Sequence, residues 1–148
     1  MLFTDTSGTM DTLDEHRHEP RFRACWYAFE RACALLVLPA LPPHSRAQAD
    51  HWMAAADAVD RGSMGASQLT TVRIDAWRFH DERSRTASLV ELSAMRAVMS
   101  RLGDPDWEDW HLDAHHFLEW VILAGVPERQ WFPVLRANFA QFLNSDDA

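Results

Sequence analysis

The sequence predicts an all-α, single-domain antiparallel bundle of about six helices. Three observations carry this. Apolar residues recur at steps of three and four through one segment after another. No stretch alternates apolar and polar residues at period two over strand length, and β-branched residues are scarce. Proline and glycine mark short breaks between the segments, which suits antiparallel neighbours. The chain has 148 residues, 47% of them apolar, with seven Trp and eight Phe. That is enough for one domain with a real core. No repeat period of the solenoid kind is visible.

Residues 1–19 are polar, with Ser7, Gly8, Asp11, Asp14 and Glu15. They are expected to form a flexible lead, with at most a short helical turn near its end, in which His16 and His18 are solvated. Residues 20–38 read as the first helix. Pro20 suits its first turn. Phe22, Cys25, Trp26, Phe29, Cys33, Leu36 and Val37 form its stripe, with Arg21, Arg23, Glu30 and Arg31 on the other face. Pro39, Pro42 and Pro43 stop it. Residues 45–61 form the second helix, with Trp52, Ala55, Ala56 and Val59 inward and Gly62 as its stop.

After a loop over 62–66, Ser67 caps a third helix over 68–83. Leu69, Val72, Ala76, Phe79 and His80 share one face, and Ile74 and Trp77 widen it, which predicts a central position. Thr86 or Ser88 caps the fourth helix, whose stripe is Leu89, Leu92, Met95, Met99 and Leu102. The fifth helix spans 104–124. Asp104 or Asp106 can cap it, and Trp107, Trp110, Ala114, Phe117, Leu118 and Val121 gather on one side. Gly125 closes it. Pro127 opens the sixth, which buries Trp131, Val134, Leu135, Phe139, Phe142 and Leu143. The bundle domain therefore covers 20–144, and 145–148 form an acidic tail.

The net charge is −8 with His neutral, and all 14 basic residues are Arg. An acidic chain lacks the basic face that nucleic acid or an anionic membrane would require, so neither is expected as a partner. A basic protein partner is favoured by the opposite charge. Cys25 and Cys33 lie eight residues apart on one helix, about 12 Å by helical rise and beyond disulfide reach. Two buried free thiols fit a reducing, cytoplasmic setting. The N-terminus has no signal-peptide pattern, and the longest apolar run, 32–38, is too short to span a bilayer.

No nucleophile elbow and no Gly-rich phosphate loop is present, and no Lys could reach a phosphate. No catalytic residue and no cofactor is expected. Two clusters remain, both in the fifth helix. Glu108, His111, His115 and Glu119 follow steps of three, four and four, which would place four metal ligands along one flank. A Glu-x-x-His step is how helical bundles bind paired metals, but a second copy is missing. Hydrogen-bonded boundary histidines are the simpler alternative. The acids Asp104, Asp106, Glu108, Asp109 and Asp113 alternate with Trp107 and Trp110. They could form a solvated helix start favoured by the dipole. They could also form a docking surface with aromatic anchors ringed by charge, although the spacing of both Trp argues for burial.

The segment HWMAAADAVDRGSMGASQLTTVRIDAWRF, residues 51–79, followed by LVELSAMRAVMSRL, residues 89–102, resembles small all-helical immunity proteins of bacterial polymorphic-toxin systems. In both, an Ala-rich helix ends near Arg-Gly, then a capped loop leads to a helix with an Arg and an aromatic-flanked Ala. The resemblance covers roughly a third of the chain. It implies a stoichiometric cytoplasmic protein without catalytic residues that binds and blocks one cognate toxin, itself basic. A helical-bundle metalloprotein and a homodimeric scaffold are the competing readings.

Overall fold

The computed structural model describes residues 4–143; the expected acidic tail over 145–148 lies outside them. The fold is all-α, a single domain. The described residues form seven helices: α1 (Thr4–Asp14), α2 (Pro20–Val37), α3 (Pro43–Asp60), α4 (Ala66–Arg83), α5 (Leu89–Met99), α6 (Trp110–Leu123) and α7 (Glu128–Asn138). Short 3-10 turns follow α2 at Leu38–Ala40, α5 at Ser100–Leu102 and α7 at Ala140–Phe142. None of the helices is long and apolar enough to cross a membrane among the described residues.

Local chemistry sets the boundaries. Pro20 and Pro43 open α2 and α3, where a missing N–H costs nothing. The Ser88 hydroxyl accepts the Glu91 backbone N–H at 3.1 Å and caps α5. Gly65 precedes α4, and its N–H donates to the Gln68 side chain at 3.0 Å. Helices α3 and α6 end in the same way. Gly62 and Gly125 adopt positive φ, +75° and +101°. The following residues donate five positions back, Ser63 to Ala58 at 2.8 Å and Val126 to Val121 at 3.2 Å. This is the Schellman closure, which glycine permits without strain.

The centre of the bundle is α5, which packs against α2, α3, α4 and α6. Its Ala94, Met95, Ala97 and Val98 are wholly buried and Ser93 nearly so. Beside it, α2 and α6 share an aromatic core. Phe22 meets Trp110 edge-on at 4.8 Å, and Trp26 meets Trp110 and Phe117 at 5.5 Å each. Phe139, just after α7, closes this cluster 5.0 Å from Phe22. Such edge-to-face pairs add to their area burial. Cys25 and Cys33 are buried on the same side of α2 and are not joined.

Polar groups tie the layers together. Arg83 of α4 donates two hydrogen bonds to Glu91 of α5, at 2.8 and 2.9 Å, and Ser45 of α3 adds a third at 2.6 Å. Arg83 holds the Glu91 carboxyl below its ordinary value. Arg101 reaches Asp57 and Asp60 of α3 at 2.9 and 3.1 Å, and Arg31 of α2 meets the same Asp57 at 3.0 Å. Burial alone would raise the Asp57 pKa, but these two guanidinium groups outweigh it and lower it.

Four expectations need correction. Of the lead expected over 1–19, the described residues 4–19 do not run loosely into the bundle. Helix α1 lies on α6, Met10 and Leu13 are wholly buried, and His16 is half-buried 5.1 Å from the Phe142 ring. Met10 and Leu13, with Thr6 and Thr9 buried beside them, dock a largely polar helix. Second, α4 is peripheral rather than central. Only Ala76 and His80 are buried, while Ile74 and Trp77 are 49% and 42% exposed. The true central helix carries smaller side chains, which a count of large apolar residues undervalues. Third, Leu89, expected in the α5 stripe, is exposed, because it holds the first helical position after the Ser88 cap. Fourth, the acidic segment is not helical at its start, since α6 begins at Trp110 and not at residue 104.

Because Leu13 is wholly buried, Leu13→Ala should lower the unfolding free energy by about 2–5 kcal/mol. Urea denaturation would read this as a lower midpoint at an unchanged slope. A midpoint equal to that of the parent chain would mean that α1 is not packed on the bundle.

Candidate functional site

The acidic residues sit in the connection between the 3-10 turn at Ser100–Leu102 and α6. Proline at 105 breaks the helical run, and the loop is then held by its own acids. The Asp106 N–H donates to Asp113 Oδ2 at 2.7 Å, and the Glu108 N–H donates to Asp106 Oδ1 at 3.1 Å. Asp113, in the first turn of α6, thus reaches back to fix the loop. Tyr27 of α2 donates its hydroxyl to Asp104 at 2.6 Å. Burial, with Asp104 beside it, pushes the Tyr27 phenol up and keeps it a donor.

The seven residues expected to form a docking surface therefore divide. Asp104, Asp106, Glu108 and Asp109 are exposed, and Asp113 is half-buried. Trp107 is half-buried against Phe22 and Tyr27, with the Arg23 guanidinium 4.8 Å from its ring centre. Trp110 is wholly buried in the aromatic core and presents nothing to a partner. The helical spacing had warned of this burial.

The four residues expected as a metal flank are not brought together. Glu108 precedes α6 and so leaves the helical register; its carboxylate lies 3.4 Å from His18 Nε2. His111 Nε2 is 3.0 Å from Asp11 of α1, and its ring is 4.6 Å from that of His115. Burial, and then His111, lower the His115 pKa. Glu119 is exposed. Among the described residues, no three His, Cys, Asp or Glu side chains are placed to hold a metal ion.

A cavity that the sequence did not announce lies between this loop and α4. Its volume is about 270 Å³. Trp26, Met99, Trp77 and Trp120 supply apolar wall, the last two from α4 and α6. Arg73 and Arg96 line it from α4 and α5, Asp104 and Asp113 from the loop side. Gly103 lets the chain pass beside Arg73. A Cβ added there would lie 2.7 Å from an Arg73 terminal nitrogen. A second cavity of about 350 Å³ shares Arg73, Gly103 and Asp104 with the first.

Glu30 forms the deep end of the first cavity. It is 2% exposed and accepts the Ser100 hydroxyl at 2.6 Å. Burial pushes its carboxyl up to about 8, and the Ser100 bond and Arg101 offset only part of this. At neutral pH it is therefore mainly a neutral acid. Strongly shifted acids in clefts are candidate functional groups. Glu30, expected on the outer face of its helix, lies on the buried one. It stands four residues after Trp26 and three before Cys33, so helical spacing puts it on the buried side.

His80, expected on the apolar face of its helix, is buried beside the cavity. It accepts the Arg96 Nε–H at Nε2, 3.1 Å away, and lies 3.2 Å from Asp81 through Nδ1. Accepting at Nε2 requires that nitrogen to be unprotonated, so the ring is neutral with its proton at Nδ1.

The raised Glu30 pKa has a sign. Between about 4.5 and 8 the folded chain holds a proton that the unfolded chain has released. Stability should therefore fall as pH rises through that window, by roughly 1.4 kcal/mol per unit at most. Glu30→Gln removes the ionisation while keeping an oxygen for Ser100. It should stabilise the chain at pH 8 relative to the parent, and the gain should vanish near pH 4. Denaturant midpoints measured across that range check it, and a gain independent of pH would contradict it. Comparison of the chain with protein families, with curated proteins and with solved structures finds no match.

Proposed function

We propose that this chain is a non-catalytic binding protein that docks a basic protein partner on its acidic loop face. In the specific form suggested by the sequence resemblance, it is an immunity protein that occludes a cognate bacterial toxin in the cytoplasm. The observation that carries the reading is the loop itself. Four exposed carboxylates, Asp104, Asp106, Glu108 and Asp109, stand within six residues on a segment that internal hydrogen bonds hold in shape. Across the cavity from Asp104, Trp77 of α4 is 42% exposed, with Ile74 one turn away at 49%. An exposed Trp and Ile on a helix that shares this cavity with Asp104 suit an interface anchor. The net charge of −8 agrees in sign with a basic partner.

The mechanism is occlusion. Charge on the loop speeds encounter, and burial of Trp77 and Ile74 slows release. Trp77 takes the anchoring role that the sequence offered for Trp107 and Trp110. A preformed loop avoids part of the ordering cost of binding.

Co-expression with the product of the adjacent gene tests this. The two proteins should co-elute, and growth should depend on this chain. Replacing Asp104, Asp106, Glu108 and Asp109 by their amides should then slow association about ten-fold or more at low salt, an effect that fades as salt rises. Trp77→Ala should instead raise the dissociation rate, at a cost of about 2 kcal/mol. Elution alone, with growth indifferent to this chain, would overturn the reading.

A further inference from the structure

The cavity between α4 and the acidic loop holds charges of both signs that do not meet. Six arginines among the described residues are ion-paired: Arg17, Arg31, Arg46, Arg78, Arg83 and Arg101. Arg73 and Arg96 line the cavity and have no carboxylate within 4.0 Å among those residues. Arg96 is hydrogen-bonded to the neutral His80 ring, which leaves its charge uncompensated. The acids opposite are in the same state. Asp104 accepts a phenol and Asp113 a backbone amide, both neutral donors. Three of the four charges are thus oriented by neutral partners, and all four are kept apart across one small space.

Opposite charges around a cleft normally collapse onto each other or are bridged. A single anion would pair with the guanidinium groups and be repelled by the aspartates. A single cation would meet the reverse. A guest with both charges satisfies all four. The walls between them are apolar and aromatic, from Trp77, Trp120 and Met99. The volume of about 270 Å³ lies just under the range of roughly 300–1,000 Å³ common for ligand pockets, so the guest is small.

We propose that this cavity binds a small zwitterion with an apolar side chain, in chemistry a free α-amino acid. Its carboxylate sits at Arg73 and Arg96, its ammonium at Asp104 and Asp113, and its side chain against Trp77 and Trp120. The two arginines and two aspartates sum to zero. Glu30, neutral at the deep end, keeps that balance and offers its acid proton as one further hydrogen bond. This site goes beyond the docking of a protein partner, and either reading can fail without the other.

Isothermal titration calorimetry of the full chain with L-leucine, L-phenylalanine and L-tryptophan tests it. At least one should bind saturably at one per chain. The single-charge analogues 3-phenylpropanoate and 2-phenylethylamine should bind at least ten-fold more weakly than L-phenylalanine, if that is the amino acid bound, with the matching analogues serving for the others. Gly103→Ala should weaken binding at least ten-fold, because its methyl displaces the Arg73 guanidinium while Gly103 has ordinary extended backbone, φ −164°. Asp113→Asn keeps an acceptor for the Asp106 N–H and should weaken binding similarly. An unchanged thermal midpoint shows that both variants are folded. The proposal is overturned if none of the three amino acids binds, if a single-charge analogue binds as well, or if Gly103→Ala binds like the parent.

Discussion

The bundle depends on how closely four helices can approach α5. Protein interiors are filled at near-crystalline density, so a helix surrounded on most sides must bring little volume of its own. Ser93, Ala94 and Ala97 meet that requirement, and Met95 and Val98 fill what is left. The approach of α3 and α4 then forces a polar contact into the interior, because Ser45, Arg83 and Glu91 meet there. Their three hydrogen bonds satisfy the buried Glu91 oxygens. Losing one partner would leave a buried charge uncompensated, which costs far more than the pair gains over an apolar contact.

The same close packing explains the position of the cavity. Helix α5 stops at Met99, the chain turns tightly through Ser100–Leu102, and Pro105 prevents the next helix from starting at once. The resulting loop stands off from α4 and leaves a gap floored by α2. Glu30 lies at that floor with a hydroxyl as its near partner, and Arg101 offsets only part of the effect of its burial. Its neutral state follows from that placement.

Fold class was readable in the sequence because helical periodicity is a local property. Stripes such as Phe22, Trp26, Phe29 and Cys33, or Trp110, Ala114, Phe117 and Val121, name the buried face without reference to any neighbour. Rank within the bundle was not readable. Whether a helix is central depends on what packs on its second side, and α4 offered large residues there, Ile74 and Trp77, that stay largely exposed. Helix α1 failed for the opposite reason, since Met10 and Leu13 are too few to give a visible stripe. At the candidate site the acidic loop was readable by composition, though not its shape, which comes from side-chain contacts of Asp106 and Asp113. The cavity was not readable at all. It brings together residues from 26 to 120 in the chain, and spacing along one helix says nothing about facing pairs on five different segments.

The buried cysteines give the chain an internal reporter. Cys33 is wholly enclosed, and burial, with Glu30 nearby, pushes its thiol up well beyond the ordinary range. The thiolate is the reactive form, so alkylation of Cys33 is blocked both by access and by protonation while the bundle is closed. A thiol reagent therefore registers openings rather than the closed state, and its limiting rate counts how often α2 loses its covering. Any ligand that holds the bundle closed would lengthen that interval, with no need for a label or an added chromophore in the chain.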